Sequence, residues 1–135
     1  ILSKEDAKAL SKGHYEVLTK YFPNSETAVK AYNIMRLGCY RPVVMIEYDR
    51  LAYQYPLYDT RVTLDMGIRS TEANLNIFSS EVNYTPIMCE TAVLEIKYSG
   101  KCMGFLKDAL GQFDLTQNSY SKYCSGRKVY YDFNY

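Results

Sequence analysis

The sequence has few of the residues on which common catalytic chemistries depend. It has no tryptophan and a single histidine, His14, in a helical pattern without an evident partner. Histidine-based nucleophilic catalysis is therefore not the expected chemistry. The cysteines are widely spaced and lack the paired motifs of zinc sites, so we expect ordinary free thiols at Cys39, Cys89, Cys102 and Cys124.

Two further absences concern charge and hydrophobic runs. Sixteen Lys and Arg residues nearly balance fifteen Asp and Glu residues, and the net charge is +1. This balance, with no recognisable nucleic-acid motif, argues against a nucleic-acid partner. No apolar run approaches the length of a membrane span, and the one at 43–46 is too short for a signal peptide. We expect no membrane span in this chain and a cytoplasmic location. Because the net charge is near zero, any anion-binding site must come from a local cluster of cations.

What is present fits one domain of 135 residues in which helices precede strands. Fifteen tyrosines favour a sheet, because tyrosine suits half-buried strands. A helix start at Ser3, an apolar pattern over 15–22 and a cap at Asn24 or Ser25 predict three helices that end by Gly38.

From Arg41 the pattern changes to strands. Extended stretches are predicted over 43–53, 61–65, 73–78 and 92–98, followed by a helix over 103–110 and a polar loop over 117–123. The fold class is α+β, with N-terminal helices, a largely antiparallel sheet and a helix packed back on it. We divide the chain into a helical segment over 1–40, a sheet-containing part over 41–126 and a tail over 127–135.

Alternation along these strands separates polar from apolar side chains. Arg61, Thr63 and Asp65 share one face of their strand, and Glu95 and Lys97 share one face of the later strand. If these faces converge, one wall of the sheet carries Arg50, Arg61, Glu95 and Lys97. The other wall should then be buried against helices through Val62, Leu64, Leu94 and Ile96.

A charged wall has two interpretations at this point. An exposed sheet face carries charges simply because it is solvated. Phosphate recognition, however, needs guanidinium and ammonium groups around the anion and a carboxylate for a bridging divalent metal, and both classes occur here. Spacing alone leaves both interpretations open.

Four segments in order carry a resemblance to a known family: Pro42–Arg50, Arg61–Asp65, Leu94–Tyr98 and Ser121–Tyr123. Over about residues 38–126, the chain resembles the C-terminal half of the VTC domain. This is the vacuolar transporter chaperone family of polyphosphate polymerases, within the triphosphate tunnel superfamily. The resemblance implies a curved sheet that forms about half of a β tunnel, and the preceding helices resemble the family's helical insertion.

The resemblance also implies roles for individual residues. Arg50 and Arg61 match arginines that grip phosphates, and Lys97 matches a phosphate-binding lysine. Glu95 matches the acidic residue that coordinates Mn²⁺ or Mg²⁺. Further phosphate-binding candidates are Ser121, Lys122 and, if its strand continues on the Arg61 face, Arg69. We expect Asp65 to orient a neighbouring arginine rather than to touch substrate.

In the family reaction, the terminal phosphate of ATP passes to inorganic polyphosphate. The chain departs from the family pattern because nothing over 1–38 resembles the N-terminal half-tunnel, and Ser119 stands where some members have a further lysine. We therefore expect a missing N-terminal half, or a second copy, to close the tunnel, and little activity from this chain alone. Hydrolysis of triphosphate and polyphosphate binding without turnover remain alternatives to phosphoryl transfer.

Overall fold

The computed structural model describes residues 2–87 and 91–131, and the chain divides into two compact units. The first comprises Ile1–Met45 and Thr71–Asn83, and the second comprises Ile46–Ser70 and Tyr84–Tyr135. Of the predicted free cysteines, Cys39, Cys102 and Cys124 are free, and Cys89 lies outside the described residues.

Three helices form most of the first unit, as predicted: α1 (Lys4–Ser11), α2 (Glu16–Tyr21) and α3 (Glu26–Leu37). Serine caps begin two of them. The Ser3 hydroxyl accepts a hydrogen bond from the Asp6 N–H at 3.1 Å, and the Ser25 hydroxyl accepts one from the Ala28 N–H at 3.3 Å. Such caps satisfy N–H groups that have no partner within the helix.

A small core holds these helices together. Tyr15, Val17 and Ala28 are buried, and the Tyr15 hydroxyl donates to the Tyr40 carbonyl at 2.6 Å. Asp6 on α1 accepts hydrogen bonds from the ammonium of Lys20 and the hydroxyl of Tyr21 on α2. Pairing with Tyr21 and Lys20 lowers the pKa of the Asp6 carboxyl.

The predicted strand over 73–78 is wrong, because this segment forms turns closed by asparagine side chains. The Asn74 side-chain carbonyl accepts from the Asn76 N–H at 3.0 Å, and that of Asn76 accepts from the Phe78 N–H at 3.2 Å. Asparagine side chains that bond the backbone two residues later compete with strand pairing.

An open, four-stranded antiparallel sheet forms the second unit's framework among the described residues. Its strands are β1 (Met45–Tyr55), β2 (Thr60–Thr71), β3 (Thr85–Pro86) and β4 (Val93–Lys97). β2 is central, with β1 along one side and both β3 and β4 along the other. A 3₁₀ turn over Leu57–Asp59 joins β1 to β2. The α+β class is confirmed, and the sheet is not closed into a tunnel.

The pairing of β2 with β4 aligns the predicted polar positions. Arg61 lies opposite Lys97, and Thr63 lies opposite Glu95. Directly opposed residues in an antiparallel pair project from the same face. The sheet therefore places the charged side chains of both strands on one face, which we call the polar face.

A bulge at Gly67 reverses the alternation in β2, so the expectation that Arg69 shares the Arg61 face is wrong. Gly67 has a φ of +58°, a conformation that glycine adopts readily. Asp65 and Ser70 both contact the last helix, although in a regular strand two residues five positions apart project from opposite faces. Arg69, between two buried neighbours, projects from the opposite face.

Two helices accompany the sheet: α4 (Gly104–Leu110), which was predicted, and α5 (Lys122–Tyr131), which was not. The predicted tail is thus helical as far as Tyr131. Helix α5 packs on the sheet at Gly126, where an added Cβ would meet the side chains of Ser70 and Ile46 at 3.4 and 3.5 Å, an ordinary van der Waals distance. In the described part of the chain, no helix has the length and apolar character needed to cross a membrane.

The expected burial of the apolar face is wrong. Val62, Leu64 and Ile96 are only half-buried, and Leu94 is 38% exposed. The buried positions of β2 are instead largely polar, at Thr60, Thr63, Asp65 and Ser70. The reason is that α5 packs on the polar face, where it contacts Asp65 and Ser70.

Candidate functional site

A buried carboxylate joins two of the predicted phosphate-binding residues. Asp65 on β2 is fully buried, and its Oδ1 and Oδ2 accept hydrogen bonds from Nε and Nη2 of Arg50 on β1 at 2.5 and 2.7 Å. The ammonium of Lys122, at the start of α5, lies 2.6 Å from Oδ2. We call this group the Asp65 bridge; it connects two strands and a helix through one side chain.

The contact between Asp65 and Arg50 favours the ionised form of both side chains. Hydrogen bonds from Arg50 and then from Lys122, acting against burial, lower the pKa of Asp65 to about 2. The same contact with Asp65 raises the pKa of Arg50. A charged acceptor and charged donors make these bonds stronger than neutral ones. The Asp65 carboxyl is therefore ionised at neutral pH.

Tyr48 supplies an aromatic surface beside the bridge. The Arg50 guanidinium lies 5.0 Å from the centre of its ring and the Lys122 ammonium 5.1 Å from it. Both distances are within the range of cation–π attraction. Alternation along β1 puts Tyr48 on the same face as Arg50, but contact with a later helix leaves no local pattern from which its role could be predicted.

A small cavity lies next to the bridge on the polar face. Its volume is about 40 Å³, and Arg50, Arg61, Thr63, Glu95 and Lys97 line it. The Lys97 ammonium is 3.1 Å from a Glu95 carboxylate oxygen. A space of this size holds a few atoms the size of a water oxygen, which suits the end of a phosphoryl group but not a nucleobase.

The hydroxyl of Thr63, which lines this cavity, has no hydrogen-bonding partner. Thr63 is 3% exposed. Leaving a buried hydroxyl unpaired is costly, so such groups call for an explanation, and a ligand oxygen would provide one. Alternation predicts the face of Thr63, but only the structure shows that its hydroxyl is unpaired.

The charge of this region suits a metal-bridged phosphate better than a protein-only metal site. The described residues contain no group of three or more His, Cys, Asp or Glu side chains that could hold a metal ion. Glu95 could supply one carboxylate oxygen, and Mg²⁺ is commonly held by one or two carboxylates together with substrate phosphates. The residues present therefore fit a metal that arrives with its phosphate ligand.

Ser121 has a structural role in the ligand-free chain. Its hydroxyl accepts a hydrogen bond from the Cys124 N–H at 3.3 Å, and its carbonyl accepts one from the Ser125 N–H at 2.9 Å. Ser121 thus caps α5 and places the following residue, Lys122, at the polar face. In this arrangement the serine begins the helix and the lysine that follows it places its ammonium group beside Asp65.

Arg69 is separated from the other candidates by the sheet. It binds the carboxylate of Glu47 through Nε, at 2.8 Å, and through Nη2. Pairing with Arg69, and then a hydrogen bond from Tyr84, lowers the pKa of Glu47. Burial, followed by the bond to Glu47, raises the pKa of Tyr84. Arg69 is therefore an ion-pair partner of Glu47 on the face opposite the site.

The first unit has a larger groove of about 540 Å³, lined by residues between Pro23 and Ile34. Its charged members are Glu26 and Lys30, on the exposed side of α3. The groove brings together none of the predicted site residues. The cationic chemistry is therefore concentrated in the second unit.

Comparison with known proteins gives one family. The model of the VTC domain matches residues 2–131, which is nearly the whole chain and includes the N-terminal helices as well as the sheet. No curated protein and no solved structure matches the chain significantly.

Proposed function

This chain belongs to the VTC domain family, which implies a polyphosphate-related function. From that premise, we propose that the polar face binds the phosphate chain of ATP or inorganic polyphosphate. One observation supports the proposal above others. Arg50, Arg61, Lys97 and the single carboxylate of Glu95 surround one small cavity. The site is thus strongly cationic in a protein whose net charge is only +1.

We propose that the complete protein transfers the terminal phosphate of ATP to a polyphosphate chain. Phosphoryl transfer depends mainly on positioning and on neutralising charge, so it needs neither a histidine nor a nucleophilic serine. Arg50 and Arg61 would hold the phosphate oxygens as planar donors, and Lys97 and Lys122 would add compact charges. Glu95 would hold Mn²⁺ or Mg²⁺, which supplies further charge neutralisation when bound.

A second candidate is binding of polyphosphate without turnover, and the open sheet favours it for this chain alone. In the described residues the sheet is open, and the cavity is lined only by residues of its strands β1, β2 and β4. We propose that an N-terminal half, or a second copy of the chain, provides the opposing cations when turnover occurs. Hydrolysis of triphosphate would use the same residues with water as the acceptor.

Calorimetric titration of the chain with sodium tripolyphosphate tests the binding proposal, with and without Mg²⁺ or Mn²⁺. We expect affinity to fall with salt, because binding releases counterions from charged groups. R61A should weaken binding about tenfold, as expected for loss of one charge-assisted contact. The matched control is R36A, which removes an equal charge from exposed α3. Equal affinities for R61A and R36A would refute the site assignment.

A further inference from the structure

We propose that Asp65 is a positioning residue that sets the spacing and orientation of two phosphate-binding cations, Arg50 and Lys122, on the polar face. This inference rests on the proposed function of that face. It adds a residue that touches no phosphate itself but determines how those that do are presented.

The geometry of the Asp65 bridge supports this role. Both carboxylate oxygens are engaged, one by Nε of Arg50 and the other by Nη2 of Arg50 together with Nζ of Lys122. Asp65 has no exposed surface, whereas the side chains of Arg50 and Lys122 are 31% and 22% exposed. The carboxylate is therefore closed to a ligand while both cations keep surface that a ligand can reach.

The bridge holds Arg50 and Lys122 in place before any ligand arrives. Arginine and lysine are long side chains that lose rotamer freedom when they are ordered, and immobilising them at binding opposes affinity. Asp65 orders both in the free protein, and Tyr48 contacts both cations. The free protein thus presents two cations, from β1 and from α5, at a fixed separation.

Electrostatics alone predicts the opposite effect of Asp65, and this makes the inference testable. A carboxylate beside two cations removes one unit of positive charge from the site. If overall charge governed affinity, replacing Asp65 by a neutral residue would strengthen the binding of a polyanion. If positioning governs affinity, the same change weakens binding although the site becomes more positive.

The test is calorimetric titration of the wild-type chain and D65N with sodium tripolyphosphate at one ionic strength. We expect D65N to bind about tenfold more weakly, the effect of having to order two long side chains on binding. Thermal unfolding of both proteins shows whether D65N is folded at the titration temperature. If D65N is unfolded, D65E is titrated instead, because D65E keeps the negative charge but moves the carboxylate away from its native position. D65E is also expected to bind tripolyphosphate more weakly than the wild type. Tighter or unchanged binding by the folded variant would overturn the inference.

A double-mutant cycle separates positioning from a general structural effect. If Asp65 acts through Lys122, D65N should weaken binding less in a K122M background than in the wild-type background. The same reduction is expected in an R50M background. An equal loss from D65N in all three backgrounds would show that Asp65 acts by some other route and would overturn the inference.

A measurement without phosphate distinguishes failure of this inference from failure of the proposed function. Acylation of lysine amines, followed by mass spectrometry, reports how readily each amine is released from its ion pair to react with the reagent. Lys122 should react faster in D65N than in the wild type, while the 70% exposed Lys97 should react equally in both. If the wild type does not bind tripolyphosphate, the binding proposal is refuted. Faster reaction of Lys122 would then still support positioning, and an unchanged rate would refute it.

Discussion

Replacing Asp65 by asparagine should remove a pH-dependent part of the free energy of unfolding. The native carboxyl has a pKa of about 2 because Arg50 and Lys122 bind its charged form, against a reference value of 3.8. A carboxyl with a lowered native pKa stabilises the fold above its unfolded pKa. That contribution disappears as the pH falls through the native pKa.

The magnitude follows from the shift. A fall from 3.8 to about 2, at about 1.4 kcal/mol per pKa unit, corresponds to about 2 to 3 kcal/mol of stability above pH 4. About half of this should remain at pH 3, and little at pH 1. Asp6 and Glu47 also have lowered pKa values, but they are present in both proteins and cancel in the difference.

Urea denaturation from pH 2 to pH 7, followed by circular dichroism, measures this difference directly. The difference in free energy of unfolding between wild type and D65N should be about 2 to 3 kcal/mol larger at pH 6 than at pH 2. D114N, which changes an exposed carboxyl in the loop after α4, is the matched control and should not reproduce this dependence. A difference between wild type and D65N that does not change with pH would show that the ionised bridge does not stabilise the fold.

Three further predictions concern the site and the strand that carries it. T63V should raise the free energy of unfolding of the ligand-free chain by up to about 1 kcal/mol in urea denaturation, because valine removes an unpaired buried hydroxyl; a destabilised variant would show that the hydroxyl is satisfied. G67A should lower it by about 1 to 2 kcal/mol because of the positive φ, whereas G104A, at the start of α4 with nothing within 4 Å, should not. In a polyphosphate synthesis assay with ATP and Mn²⁺, this chain alone should be nearly inactive. An N-terminally extended protein should be active and should lose that activity with E95A. Strong synthesis by this chain would contradict the need for a second half.

Much of the polar face could be predicted from the sequence, because strand alternation is a local property. The segments around Arg61 and Glu95 each repeat polar side chains at every second residue, and their antiparallel pairing brings those side chains to one face. The three N-terminal helices could also be predicted from the sequence, since their serine caps and apolar spacing are local signals.

The remaining features depend on contacts between distant residues. Glycine in a strand predicts a possible bulge but not its effect on Arg69, so regular alternation gave the wrong face. Helix α5 was missed because it contains glycine at position 126, which disfavours an isolated helix. In the fold, Gly126 is buried against Ser70 and Ile46, contacts that no local pattern indicates. The link between Asp65 and Lys122 follows only from this packing.

The distribution of charge between the two faces explains how a nearly neutral protein could be selective for a short polyanion. On β1, Tyr48 and Arg50 project from the polar face, whereas Glu47 projects from the other, where it pairs with Arg69. The carboxylates of the polar face are committed to cations, Asp65 to Arg50 and Lys122, and Glu95 to Lys97. The positive electrostatic potential of the polar face is therefore concentrated around one small cavity. A nucleic-acid duplex needs cations spread along many phosphates, so this arrangement favours a phosphate chain whose end enters the cavity.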